Sequence, residues 1–155
     1  MIARFIHRRA SGHLCAVPLA AALVLLHCAA AAGAANVVTH HNDTLRTGWN
    51  DAETLLTTAV VGGGSFGLLH QVPVDNHVDA QPLLVAGITI NGSVHDAVYV
   101  ATEDNSIYAV DASSGDVLLR TNLGAPVPMS KLPGGCNLDG PDVGINSTPV
   151  IDTAS

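Results

Sequence analysis

The sequence predicts an all-β chain behind a hydrophobic N-terminal signal helix, and three observations carry that reading. Short runs rich in Val, Leu and Ile alternate with Gly, Asn, Asp and Pro, which is the punctuation of strands and turns. No window of the body sustains a helical apolar period. A Pro-centred segment recurs 67 residues downstream, so the strands belong to a repeating unit.

Residues 1–34 read as a signal peptide. Arg4, Arg8 and Arg9 form a basic start, and an uncharged run from Leu14 to Ala32 follows. Small residues then lead into Asn36. This is the order of an export signal: the charges hold the start at the cytoplasmic face while the apolar run enters the translocon. Cleavage is expected after Ala34, with Ala32-Gly33-Ala34 as the small-residue site, or after Ala35. The apolar run is also long enough to span a bilayer, so membrane association is expected only if the signal stays uncleaved. Cys28 makes a poor lipoprotein site because His27 precedes it, and the residues after Arg8-Arg9 are a poor match to twin-arginine export. The expected location is secreted or periplasmic.

Loss of the signal leaves Arg46, Arg120 and Lys131 against all 13 acidic residues, a net charge of −10. That balance opposes nucleic-acid binding, which depends on cationic contacts to phosphate. Cys15 and Cys28 leave with the signal. Cys136 then stands as a candidate unpaired thiol, or as a cysteine whose partner lies outside this chain.

Residues 35–65 read as an N-terminal extended segment. Within it, residues 51–60 (DAETLLTTAV) have the composition of one or two helical turns, capped by Asn50 or Asp51. Residues 66–155 read as an incomplete repeat region. The expected strands are 66–74, where Pro73 marks an edge or an end, then 80–90, 97–102, 106–111 and 116–123. Glu103-Asp104-Asn105 and Ala112-Ser113-Ser114-Gly115 supply turns. Tyr99 and Tyr108 fall on adjacent strands, where they can pack across the hairpin. A Pro- and Gly-rich loop covers 124–144. Residues 145–152 (INSTPVID) then align with 78–85 (VDAQPLLV), and Leu68-Leu69 echoes Leu118-Leu119. A period of this length, holding four strands and a loop, reads as a β-propeller blade with an insertion. The chain supplies a partial β-propeller, about one and a half four-stranded antiparallel blades.

Residues 98–124 (VYVATEDNSIYAVDASSGDVLLRTNLG) carry a more specific pattern. Tyr108-Ala109-Val110-Asp111 followed by Ser114-Gly115 resembles the repeat of pyrroloquinoline-quinone-type (PQQ-like) β-propellers. Leu119 stands where that repeat usually has the Trp that docks between blades. His41-Asn42-Asp43, Arg46-Thr47-Gly48, Gln81-Pro82-Leu83, Val100-Ala101-Thr102-Glu103 and residues 144–152 resemble the start of secreted bacterial proteins of this class. The resemblance covers nearly all of residues 38–152. It implies a ring of about six to eight blades, of which this chain is an N-terminal fragment, with strand 66–74 closing the ring against the last blade. The remaining blades, or another protein, are the partners it implies, because a solitary piece would expose strand edges.

Chemistry-bearing groups are sparse. Gly62, Gly64 and Gly67 satisfy G-x-G-x-x-G, but a strand-like run follows where a nucleotide site needs a helix. His40-His41 with Asp43 is a poor chelate, because adjacent side chains on an extended chain point to opposite sides. His70, His77 and His95 have no ligand spacing. Asp139 and Asp142 could contribute oxygens to calcium, although no EF-hand pattern is present. Asn42, Asn91 and Asn146 each begin a glycosylation acceptor triplet, relevant only in a eukaryotic secretory route. Arg46 and the lone Trp49 are candidate functional residues, or pin the N-terminal segment onto a blade. Quinone dehydrogenases of the propeller class use PQQ, calcium, an Asp base and often paired cysteines. No adjacent cysteine pair occurs here, and no acid maps onto the base. The sequence therefore points to a non-catalytic binding or scaffold module, with no cofactor assigned. The alternative is the N-terminal part of a periplasmic PQQ-dependent dehydrogenase, and PQQ and calcium belong only to that alternative.

Overall fold

A computed structural model describes residues 35–51, 53–64, 66–134 and 140–154. The signal peptide, Ala34, Cys136 and Asp139 lie outside them; Ala35 is the first residue inside.

The chain is mostly strand and turn. Four strands form one antiparallel meander: β1 (Leu83–Ile90), β2 (Ser93–Ala101), β3 (Ser106–Asp111) and β4 (Val117–Asn122), in spatial order β1-β2-β3-β4. β1, β3 and β4 fall on stretches the sequence marks as strand, and β2 overlaps one. β2 starts four residues earlier than its apolar run, at Ser93, because Asn91-Gly92 makes a two-residue hairpin turn. Both residues adopt positive φ (52° and 83°), the combination that matches the twist of flanking strands. The β2–β3 turn falls at residues 102–105 and ends on Asn105 in the left-handed region. The β3–β4 turn ends on Gly115, φ 78°.

Pairing fixes two faces. Leu83, Tyr99, Ala109 and Leu119 lie in one row, and Val85, Ala97 and Asp111 in the next. Ile90, Ala97 and Ala109 form the core of this face, with Ile88, Tyr99 and Leu118 packed around them. The small side chains at 97 and 109 leave room for the larger ones to close over the sheet. On the opposite face Val98, Val100 and Val110 floor an apolar groove of about 570 Å³.

Three sequence expectations need correction. Residues 66–74 form no strand. They run across the grooved face above β3, from His70, whose Nε2 lies 2.8 Å from the Ser113 carbonyl, toward Asp75 near the β2–β3 turn. Pro73 lacks the N–H that an edge ladder needs there. A short helix, α1 (Thr58–Gly62), starts later than Asn50 or Asp51: Thr57 is its cap, accepting the Val60 N–H at 3.3 Å. The 124–144 stretch is not all loop, since β5 (Val127–Pro128) pairs with β6 (Asp142–Val143).

Leu83 is 1% exposed, whereas Leu68 is 84% exposed. Leu83→Ala is therefore expected to cost about 2–5 kcal/mol of unfolding free energy, and Leu68→Ala within about 0.5 kcal/mol of nothing. Urea midpoints of the two variants check the difference.

Candidate functional site

The chemistry-bearing side chains gather at the two ends of the β3 strand and along the outer edge of β1. At the first end, Asp75 acts as a hub. Its Oδ1 accepts from the Thr102 hydroxyl at 2.8 Å, and its Oδ2 accepts from the Ser106 hydroxyl at 2.6 Å and from Arg120 at 2.7 Å. Thr102 and Ser106 are fully buried, so without Asp75 their hydroxyls would lose their acceptor away from water. Burial works against the ionised Asp75, but the hydrogen bonds from Ser106, Thr102 and Arg120 outweigh it and hold its carboxyl below the usual range. Arg120 also lies over the Tyr108 ring, 5.3 Å from its centre.

At the other end of β3, Asp111 gathers four donors. Ser113 N–H, Ser113 hydroxyl and Ser114 N–H bond Oδ1 at 2.8, 2.5 and 2.9 Å, and His95 Nδ1 lies 2.6 Å from Oδ2. The Ser113 hydroxyl, then His95, hold the Asp111 carboxyl well below the ordinary carboxylate range. This trio is not a nucleophile–base pair: the hydroxyl donates to the carboxylate and not to the imidazole. Asp111 serves instead as the cap of the β3–β4 turn, an Asx arrangement in which the side chain bonds the backbone two and three residues on.

The repeat-like residues 108–115 thus take structural places. Tyr108, Ala109 and Val110 are buried in the sheet, and Asp111 caps the turn. Gly115 meets the His70 side chain, which would lie 2.8 Å from any Cβ there.

Along β1 the two copies of the Pro-centred segment lie side by side. Asn146 Nδ2 donates to Asp79 Oδ2 at 3.0 Å, and the Gln81 N–H donates to the Thr148 hydroxyl at 2.9 Å. Each pair is separated by 67 residues, the offset of the sequence repeat. Val37 exchanges backbone bonds with Leu84 at 2.8 and 2.9 Å, and the Ile151 N–H donates to Val38 at 2.9 Å; Leu84 and Ile151 share that offset too. The N-terminal segment therefore staples equivalent positions of successive copies. Residues 145–152 join no ladder among the described residues, so this second copy of 78–85 adds no strand to the sheet. Pro149 contributes no donor.

Asn146 Nδ2 also donates to Glu103 Oε1 at 3.0 Å, so one amide bridges two carboxylates. The loop reaches Glu103 because Gly144 sits against its backbone; a Cβ at 144 would fall 2.1 Å from the Glu103 carbonyl oxygen. A polar cleft of about 320 Å³ opens beside this junction, lined by His40, Arg46, Asp79, Asn146, Ser147 and Thr148.

Other candidates are placed as follows. Arg46 faces the cleft, whereas Trp49 is 71% exposed and pins nothing by packing. Its backbone carbonyl accepts from Asn42. His40 and His41 stack at 3.9 Å instead of pointing apart, because His41 adopts φ 58° and the chain there is not extended. Gly62 ends the short helix and Gly64 and Gly67 follow it, so none of them opens a helix and they offer no phosphate cradle. No group of three His, Cys, Asp or Glu side chains converges among the described residues. Nor is any described helix long and apolar enough to cross a membrane. Sequence reading missed Asp75, Glu103 and Asn146 as hubs. Only Asn146 carried a signal, as the 67-residue equivalent of Asp79.

Comparison with known proteins returns no match: no family model, no curated protein and no solved structure.

Both lowered carboxyls have one sign of linkage. Their stabilisation is fully present above the unfolded Asp value of about 4 and is lost as pH falls through the lowered folded values. Thermal midpoints are expected to hold above pH 4 and fall steadily below it, with a shallower fall in Asp111→Asn; a pH series of melting curves checks both.

Proposed function

We propose that this chain is part of an exported PQQ-like β-propeller, serving as a non-catalytic binding or scaffold module. The observation that carries the reading is the 67-residue correspondence across the β1 edge. Asp79 meets Asn146, and Gln81 meets Thr148. In a ring of blades the innermost strands are neighbours, so equivalent residues of successive repeats meet around the axis. A four-stranded meander entered from that edge, followed by a loop back to the same edge, has the connectivity of one blade. Sixteen large apolar side chains are exposed among the described residues, including Leu68, Leu69, Val117 and Leu119. Surface of that kind fits blades or partner proteins on either side.

The scaffold role rests on the chemistry of the hubs. Asp75 and Asp111 spend their acceptor capacity on the fold, which leaves neither free to take a substrate proton. The apolar leader and the acidic body fit export to the periplasm or medium.

Three measurements test the proposal. Expressed with its own leader, the chain is expected outside the cytoplasm with a new N-terminus at Ala35 or Asn36; retention of Met1 in the membrane fraction overturns export. Asp79→Cys with Asn146→Cys is expected to give a disulfide mapped by peptide mass spectrometry; its absence under oxidising conditions removes the blade-to-blade contact. Titration with PQQ is expected to leave tryptophan fluorescence unchanged, and saturable quenching would favour the dehydrogenase alternative.

A further inference from the structure

Glu103 is 0% exposed, and its Oε2 has no hydrogen-bond partner. Its other oxygen accepts only from Asn146 among the bonds described above. A carboxylate so placed is costly unless something compensates it. Arg120 is committed to Asp75 and makes no bond to Glu103.

Oε2 borders the open space beside Gly140. A Cβ on Gly140 would lie 3.1 Å from Glu103 Oε2, 3.5 Å from the Asp142 carbonyl oxygen and 4.0 Å from Asn76 Oδ1. Three oxygens from three separate segments therefore border the space that glycine leaves open. Asn76 Oδ1 is held in place by the His77 N–H at 2.8 Å, while Asn76 Nδ2 donates to Asp104 at 2.7 Å. The amide oxygen is thus oriented by its own turn, with a lone pair to spare.

We propose that Glu103, Asn76 and the Asp142 carbonyl form a seat for one calcium ion beside Gly140. The donor set is oxygen only and mixes one carboxylate with an amide and a backbone carbonyl, the combination calcium accepts in its variable six- to eight-fold shell, with water completing it. Magnesium, which demands a near-ideal octahedron, suits such a loop poorly. With a single carboxylate the affinity belongs at the weak end, about 10⁻⁴–10⁻³ M, as in extracellular modules. The ion ties the β2–β3 turn to the 66–78 segment and to β6, and it neutralises charge in a strongly acidic chain. It is a structural ion and does not depend on the propeller reading above.

Isothermal titration of the full chain with calcium chloride, alongside melting curves with and without EDTA, tests the seat. One site of sub-millimolar to millimolar Kd is expected, with a rise in Tm of about 4 °C at calcium roughly fivefold above Kd. Magnesium at the same concentration is expected to give less. Glu103→Gln keeps the shape and removes the charge. Gly140→Ala keeps the charge and fills the space. Each is expected to lose the calcium response, and either alone suffices if the other fails to fold. No calcium response in the unaltered chain overturns the proposal, as does a response that persists in both variants.

Discussion

The Asp75 carboxylate is the contact on which the rest of the arrangement depends. The 66–78 segment crosses the sheet without joining it, so no ladder of backbone bonds holds it there. One carboxylate replaces that ladder by gathering Thr102, Ser106 and Arg120. The exchange is favourable because the same two hydroxyls are buried at the β2–β3 turn and need an acceptor. Once Asp75 is fixed, Asn76 and His77 follow within two residues. The His77 carbonyl then accepts the Glu103 N–H at 3.0 Å. The turn, the overlying segment and the approach to β1 are thereby set by one ionised group.

From that anchor the chain reaches the junction between its two Pro-centred segments. Here the controlling group is neutral. The Asn146 amide divides its two N–H donors between Asp79 and Glu103, which places a dipole where two like charges would otherwise face each other. Charge-assisted bonds of this kind are about twice as strong as neutral ones. The N-terminal segment adds backbone bonds to both copies, so three stretches far apart in sequence share one edge.

Much of the sheet was legible in the sequence, and the reasons are local. β3 was bounded to the residue, since Glu103-Asp104-Asn105 and Ala112–Gly115 are turns by composition and the run between them is apolar. The start of β2 was missed because Asn91-Gly92 was weighed as a glycosylation signal and not as a hairpin, although positive φ at both positions is what that pair supplies. Residues 66–74 misled because an apolar run has the same composition whether it lies in a sheet or across one; only long-range contacts from His70 and Asp75 decide between them. The hubs at Asp75 and Glu103 were invisible for a related reason. A carboxylate's partners here lie 27 to 45 residues away, and single-sequence spacing says nothing at that distance. The repeat offset was the exception, because it is a long-range relation written in the sequence itself.

The in-register meeting of equivalent residues has a consequence for how such a chain can change. The junction depends on matching 78–85 with 145–152, and on Gly144 lying against Glu103. The number of residues between Asn122 and Gly140 enters neither condition. Changes of length there that keep Val127–Pro128 paired with Asp142–Val143 leave the edge-to-edge geometry untouched, so within that limit the stretch is where new sequence can be grafted.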